Sequence, residues 1–232
     1  MPQVFSRRAN HVGRVAIFGA PFALGLLGVF LAVFYRSSYV TGAFEVVDQP
    51  VPFSHEHHVG QLGIDCRYCH TSVEESSYAG IPPTKVCMNC HQQMWTGADL
   101  LAPVRQSYAT DDSIPWNKVH NLPHYAYFNH SIHIAKGVGC VSCHGQVDEM
   151  PLIFQTQTLL MEWCLSCHRD PEKHLRPREE VFSTTWNVAQ ETIDPHTGEP
   201  YPQDQKALGA LLKERYHVRD PEFLTSCSVC HR

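Results

Sequence analysis

The longest uncharged apolar stretch of the chain lies near its N-terminus, at residues 15–35, between Arg14 and Arg36. At about 1.5 Å of rise per residue, a helix of this length just spans the hydrocarbon core of a bilayer. A cleaved signal peptide is the alternative, but its apolar region is about 7 to 15 residues long and ends at small residues, which LAVFYRSSY does not offer. The pattern therefore predicts an uncleaved transmembrane anchor.

The charges that flank this stretch predict its orientation. Arg7, Arg8 and Arg14 precede it, whereas only Arg36 follows before Arg67. Because positively charged flanks stay on the cytoplasmic side, the N-terminus is expected in the cytoplasm. Residues 36–232 then lie outside the cytoplasmic membrane, in the periplasm or its equivalent.

Beyond the anchor, apolar residues rarely recur at helical spacing, because prolines interrupt the chain between residues 82 and 202. The exception is DQKALGALLKERYH, residues 204–217. The residues of this stretch that share one helical face are Leu208, Leu211, Leu212 and Tyr216. The pattern predicts a mainly α fold with short helices and extensive irregular structure.

Composition adds chemistry to this outline. The chain has 232 residues, 10 cysteines and 16 histidines, more potential metal ligands than a core of this size requires. Three of the 18 Lys and Arg residues precede the anchor, so the outer part has 15 against all 23 Asp and Glu residues. This acidic balance argues against nucleic acid as a partner and favours a positively charged protein surface.

All ten cysteines fall into five CxxC pairs, and a histidine follows each pair directly. The pairs are Cys66 and Cys69, Cys87 and Cys90, Cys140 and Cys143, Cys164 and Cys167, and Cys227 and Cys230. The histidines are His70, His91, His144, His168 and His231. CxxCH is the spacing of c-type haem attachment, in which two thioethers hold the porphyrin and the histidine binds its iron. Zinc sites or disulfides are the alternative, but neither requires a histidine after every pair. Five covalently bound haems c are predicted.

The haem motifs belong to a duplicated unit. FSHEHHVGQLGIDCRYCH at residues 53–70 and FNHSIHIAKGVGCVSCH at residues 128–144 both begin with FxHxxH, and a second CxxCH follows each. The chain thus contains two dihaem modules, residues 53–95 and 128–170, with a fifth motif at residues 227–231. The predicted domains are a cytoplasmic N-terminus and anchor at residues 1–35, a linker at 36–52 and a pentahaem domain at 53–232, whose core is largely haem.

Each iron needs a second axial ligand, because an iron that only carries electrons should be six-coordinate. Histidines three residues apart share one helical face yet can serve different irons, so the FxHxxH stretches supply His55, His58, His130 and His133. His120, rather than His124, is predicted as the fifth, since it lies between the modules and can turn back to the Cys87 and Cys90 haem. Met150 is an alternative ligand or a packing residue. His174, His196 and His217 are expected to be solvated surface residues.

These stretches resemble the tetrahaem class III cytochromes, in which the first histidine of such a pair binds the haem attached just downstream and the second binds another haem. The resemblance implies that His55 serves the Cys66 and Cys69 haem and His130 the Cys140 and Cys143 haem. His58 and His133 would then reach neighbouring haems.

Over nearly its whole length, the chain resembles the pentahaem cytochrome c subunit of bacterial alternative complex III. The resemblance rests on the anchor and, in order, on GIDCRYCH, AGIPPTKVCMNCH, FNHSIHIAKGVGCVSCH, MEWCLSCHRDPEKHLRP and LTSCSVCHR. It implies an electron-transfer subunit of a quinol-oxidising complex. The implied partners are an iron–sulfur subunit of molybdoenzyme type, polytopic quinol-binding membrane subunits and a monohaem cytochrome c. One departure is His124, where an acidic residue is expected.

Two other functions fit the motifs. A single-helix multihaem quinol dehydrogenase of nitrite or nitrate respiration would oxidise quinol at a haem near the membrane. A multihaem reductase would leave one iron open for a small substrate. The surplus of histidines argues against an open iron, so the chain is interpreted as an electron carrier that is not catalytic alone.

Overall fold

The computed structural model describes residues 4–231, and within them the fold is mainly helical, as predicted. The α-helices are Arg7–Arg14, Ala20–Arg36, Ser38–Thr41, Cys66–Cys69, Thr84–His91, Ala102–Thr110, His130–Ala135, Val141–His144, Met161–Arg169, Gln205–Arg215, Pro221–Leu224 and Cys227–Cys230. Turns of π-helix occur at Val15–Gly19 and Glu56–Gln61, and 3₁₀ turns at Asp99–Leu101, Val147–Glu149, Pro171–His174 and Arg178–Glu180. Extended pairing in this part of the chain is confined to three isolated bridges, Val46 with Phe154, Val138 with Leu175, and Ile193 with Pro200.

The N-terminal helix runs from Arg7 to Arg36, and its side chains are exposed. The turn at Val15–Gly19 is π-helical. It lies directly before Pro21, which has no N–H to donate to the carbonyl of Ile17 and so disturbs the regular ladder. Among the described residues, this is the one helix whose length and composition suit a membrane span. It is a possible membrane anchor.

The chain divides into two compact units, the second of which begins at Phe44. Residues 44–52, expected as part of a linker, contribute contacts to this second unit. Val46 pairs with Phe154, and the Gln49 side chain exchanges hydrogen bonds with the backbone of Asn117. One apolar cluster of this unit consists of Val51, Met88, Leu101 and Val104.

A second apolar cluster lies between the fourth and fifth CxxCH motifs. Helix Gln205–Arg215 confirms the predicted periodicity, and the Asp204 carboxylate caps it by accepting a hydrogen bond from Ala207 N at 2.9 Å. The buried members of the cluster are Leu175, Tyr201, Leu208, Leu212 and Tyr216. This region therefore has a protein core of its own, which the sequence pattern alone did not predict.

Candidate haem-binding sites

The two FxHxxH stretches adopt the same local geometry. The Phe53 ring stacks on His58, with 4.3 Å between ring centres, and meets His55 edge-on at 4.9 Å. In the second stretch, the Phe128 ring stacks on His133 at 4.4 Å and meets His130 edge-on at 4.8 Å. The phenylalanine thus holds both histidines of its pair in a fixed relative orientation.

Three of these histidines face the histidine of a CxxCH motif. The distances between ring centres are 6.2 Å for His58 and His91, 6.2 Å for His133 and His168, and 6.4 Å for His130 and His144. An iron held between two imidazoles, with metal–nitrogen bonds of about 2 Å, separates the ring centres by roughly 6 Å. The spacing of all three pairs therefore suits two axial ligands of one haem iron.

His55 is the counterpart of His130 and lies near the first CxxCH histidine. Burial, and then the nearby rings of His70 and His58, lower the pKa of His55 to about 4. The imidazole is therefore neutral at physiological pH, which is the form that binds a metal.

Hydrogen bonds to the backbone fix the orientation of seven candidate ligands. In each, Nδ1 lies within hydrogen-bond distance of a carbonyl oxygen, so a proton on Nδ1 leaves Nε2 free for a metal. The pairs are His58 with Ser54 (2.8 Å), His70 with Gly80 (2.7 Å), His91 with Met94 (3.3 Å), His130 with Ser77 (2.8 Å), His133 with Asn129 (2.7 Å), His168 with Leu224 (2.9 Å) and His231 with Tyr125 (2.9 Å).

His120 does not lie where the sequence suggested. The ring opposite His91 is His58, so the Cys87 and Cys90 motif already has a histidine partner. His120 instead lies against His144, with 4.3 Å between ring centres. That separation is too short for one iron to lie between the two rings. The Nε2 atom of His120 is buried and has no hydrogen-bond partner in the protein, as a ligand nitrogen would be.

The other candidates have varied surroundings. Met150 is buried, 5% exposed, beyond the third motif, and its carbonyl oxygen accepts a hydrogen bond from Glu56 N at 3.0 Å. His174 and His196 are exposed. His217 has a positive φ of 51° and lines a surface pocket with Lys213 and Glu214.

No family model matches the chain. It is 30% identical over 190 residues to the "menaquinone reductase, multiheme cytochrome c subunit" of Nitratidesulfovibrio vulgaris, an alignment that covers 72% of this chain and 89% of the relative. The chain belongs to the multihaem cytochrome c family. Its cofactor is therefore covalently bound haem c.

The cysteines of this multihaem cytochrome suit thioether bonds. None of the ten, all of which lie within residues 4–231, is paired in a disulfide. Burial is the main cause that raises the pKa of Cys143 to about 12 and those of Cys140 and Cys167 to about 11. A zinc site would need thiolates, which such surroundings disfavour, whereas a thioether is neutral. Within residues 4–231, no group of three or more His, Cys, Asp or Glu side chains is arranged to hold a metal ion.

Two equivalent backbone hydrogen bonds join the two modules of the cytochrome. Glu56, next to His55, donates its N–H to Met150 O at 3.0 Å, and Ser131, next to His130, donates its N–H to Ser76 O at 3.2 Å. Each acceptor lies six residues beyond the first CxxCH histidine of its module. Gly60 lets the first module approach closely, since a Cβ atom there would overlap Asp148 O. The modules thus hold each other reciprocally.

The fifth motif is held by a segment that sequence reasoning did not single out. Tyr127 N donates to Cys230 O at 2.8 Å, and Tyr125 O is the partner of His231 Nδ1. Both contacts use the backbone, which any residue provides, so the sequence contained no signal for them.

Proposed function

We propose that the chain is the pentahaem electron-relay subunit of a quinol-linked respiratory complex of the alternative complex III type. The observation that carries the proposal is the set of histidine pairs at the spacing of two axial ligands, three of them 6.2 to 6.4 Å apart. The relative, a subunit of a menaquinone reductase, supports the link to membrane quinones. Haem c supplies reversible one-electron chemistry at its iron.

The chain's own residues hold five haems in this proposal. The ten cysteines form the thioethers, and the CxxCH histidines provide the proximal ligands. His55, His130, His58 and His133 provide the distal ligands of the first, third, second and fourth haems. We keep His120 as the candidate for the remaining distal position, because its buried Nε2 has no protein partner, and its ring lies 4.3 Å from that of His144 in the third motif.

The contacts between the CxxCH motifs support an arrangement of the five haems in a single row, in the order second, first, third, fourth, fifth. Asn89, inside the second motif, donates to the hydroxyl of Tyr68, inside the first, at 3.0 Å. Burial, followed by the rings of His120, His130, His70 and His55, lowers the pKa of His144 to about 3, which supports neighbouring positions for the first and third motifs.

One helix connects the third and fourth motifs, and one hydrogen bond connects the fourth motif with the segment before the fifth. His130 and His133 occupy one turn of helix His130–Ala135 and face the third and fourth motif histidines. Leu224, whose carbonyl oxygen pairs with His168 Nδ1 of the fourth motif, lies just before Cys227 of the fifth. The ends of the row are therefore the second and fifth motifs.

The proposed membrane partners fit the N-terminal anchor and the arginines that precede it. The helix Arg7–Arg36 would place the haem region beside polytopic quinol-binding subunits, with the N-terminus cytoplasmic and the haems periplasmic. An iron–sulfur subunit of molybdoenzyme type and a monohaem cytochrome c complete the proposed assembly. Purification in mild detergent should recover these subunits together, whereas recovery of the chain alone would contradict the assignment to such a complex.

The haem count tests the proposed site. We expect a pyridine haemochrome assay and intact mass to give five haems per denatured chain, and electron paramagnetic resonance to give five low-spin irons. His120→Ala should convert one of them to a high-spin haem that binds carbon monoxide. A stoichiometric high-spin iron in the unmodified protein would instead favour the reductase function.

A further inference from the structure

An arginine lies beside the attachment site of the third haem. The stretch before this motif pairs with residues 175–181: Val138 bridges Leu175, Arg176 N donates to Gly137 O at 2.9 Å, and Cys140 N donates to Val181 O at 3.1 Å. The pairing places Arg176 across from the residues that lead into Cys140.

The guanidinium lies directly on the backbone of Gly139. A Cβ atom at that position would overlap Cζ and Nε of Arg176, so the glycine is what permits the contact. Because Cys140 is the next residue, the positive charge is adjacent to the thioether edge of the third haem. Arg176 is 8% exposed, so water screens this charge poorly.

The contacts of Arg176 are with carbonyl dipoles and a ring, and the Glu180 carboxylate acts on it from beyond ion-pair distance. Nη1 donates to the carbonyl oxygens of Ser183 at 3.2 Å and Glu180 at 3.4 Å, and the guanidinium lies 5.1 Å from the centre of the Trp186 ring. The Nε atom is buried without a hydrogen bond. None of the ion pairs within residues 4–231 includes Arg176.

Burial lowers the pKa of Arg176 more than the distant Glu180 carboxylate raises it, so the charge is poorly compensated, and an arginine does not lose its proton to avoid that cost. Reduction of a haem adds one negative charge to it. A nearby buried cation stabilises the reduced form more than the oxidised form, and this raises the reduction potential.

We propose that Arg176 is a positioning residue that raises the reduction potential of the haem attached to Cys140 and Cys143 above that of the first haem. The inference rests on the haem attachments proposed above. An added electron is then more stable at the third haem, in the middle of the row, than at the first.

Matched distal variants allow the two haems to be compared without changing Arg176. His55→Ala and His130→Ala each remove one distal ligand, so the single high-spin signal reports on the first haem in one variant and on the third in the other. In redox titrations followed by electron paramagnetic resonance, we expect the third haem's high-spin signal to disappear at the higher potential. Equal or reversed order would overturn the proposal.

The charge itself is tested in the His130→Ala background. Adding Arg176→Gln, or Arg176→Met with its similar apolar stem, should lower the equilibrium constant for reduction of the high-spin haem at least tenfold, about 59 mV for one electron. Arg176→Lys, which keeps the charge, should retain most of the potential. An unchanged potential in the Gln and Met variants, or a full loss with Lys, would contradict the proposal.

Arg178 provides the matched control. It lies 4.2 Å over the Tyr216 ring and donates from Nε to Ala135 O at 2.8 Å, so like Arg176 it contacts an aromatic ring, but it is exposed to water. Arg178→Gln should leave the high-spin titration unchanged, and an equal shift would show that burial at Arg176 is not the cause. Haem content separates the two proposals: fewer than five haems in the unmodified protein contradicts the attachment sites, whereas five haems with an unshifted titration contradicts only the role of Arg176.

Discussion

The haem-binding modules and the segment between the fourth and fifth motifs are held together differently. In the modules, histidine rings face each other across gaps of 6.2 to 6.4 Å between centres, and the modules are joined by backbone hydrogen bonds. In residues 175–216, Leu208 and Leu212 are completely buried against Leu175, Tyr201 and Tyr216. The modules need haem to fill their interior, whereas the later segment has a core of ordinary side chains.

Removing haem should reveal the difference between these two regions most clearly. When the chain is produced without haem attachment, we expect the haem-binding stretches at residues 53–70 and 128–168, which lie outside the cluster of Met88, Leu101 and Val104, to lose their protected structure, because little buried apolar area and no iron bonds remain there to offset chain entropy. Helix Gln205–Arg215 should keep slowly exchanging amides. Hydrogen exchange read by mass spectrometry, with the haem-loaded protein as control, measures both. Equal protection in both regions would show that the modules fold without haem.

Replacing single histidines compares the modules with the later segment one residue at a time. His55→Ala and His130→Ala each remove one proposed axial ligand, so one haem in each variant should become high-spin and bind carbon monoxide. The matched control is His196→Ala in the later segment, where the ring is exposed. Its optical and resonance spectra should match those of the unmodified protein. A high-spin haem in the His196 variant would show that the ligand assignment is wrong.

The two FxHxxH stretches also differ in one detail. His130 Nδ1 has Ser77 O as its partner at 2.8 Å, whereas His55 Nδ1 is buried without a partner. Loss of such an outer hydrogen bond typically weakens a metal–histidine bond 10- to 100-fold. Cyanide should therefore displace His55 at roughly tenfold lower concentration than His130, as measured by titration of the low-spin signals. Displacement of His130 first would contradict this interpretation.

The sequence predicted local chemistry better than long-range contacts. The spacing of Leu208 and Leu212 predicted their helix, and the FxHxxH and CxxCH spacings predicted ligand roles that the proposed function carries forward. The position of His120 could not be predicted, because a residue in a connector can turn toward several motifs. Leu175 and Tyr201 lie in irregular stretches, so no periodicity marked them as core. The hydrogen bonds of Glu56 and Ser131 with the other module come from backbone N–H groups that every residue but proline has.

A buried ion pair stabilises the later segment and makes its stability depend on pH. Asp194 is 3% exposed and lies 2.7 Å from Arg215. Burial raises the pKa of Asp194, but hydrogen bonds from His196 N and Arg215 outweigh it, so the pKa is lowered overall. The contribution is therefore present above about pH 4, the ordinary pKa of Asp, and is lost as the pH falls through the lowered value.

Asp194→Asn should lower the free energy of unfolding of this segment by about 3 kcal/mol at pH 7. This is the low end of the cost of breaking a buried ion pair, because the Arg215 side chain still reaches water. Guanidinium titrations at pH 7 and pH 3 measure the loss, which should shrink at the lower pH. Exposed Glu199 supplies the control, and Glu199→Gln should change the stability little. Haem spectra should be the same in both variants, since a change there would mean that the two regions are not separate.

The smallest expected effect concerns the phenylalanines that order the histidine pairs. Phe53→Leu and Phe128→Leu each remove an aromatic stacking contact, with His58 at 4.3 Å and with His133 at 4.4 Å. Such contacts contribute about 1 kcal/mol beyond the area they bury. Phe128 is 37% exposed, so its replacement should cost slightly less than that of Phe53.

Both phenylalanine variants should keep five low-spin haems, because the iron bonds and the Nδ1 hydrogen bonds still hold the imidazoles. The orientation of both histidines of the affected pair should change, however, and shift the resonance g-values of the two haems proposed to bind them. Denaturant titration and resonance spectra of the two variants, side by side, measure these effects. A shift in a haem bound by the other histidine pair, or a high-spin signal, would mean that the ring positions the module as a whole and not one ligand pair.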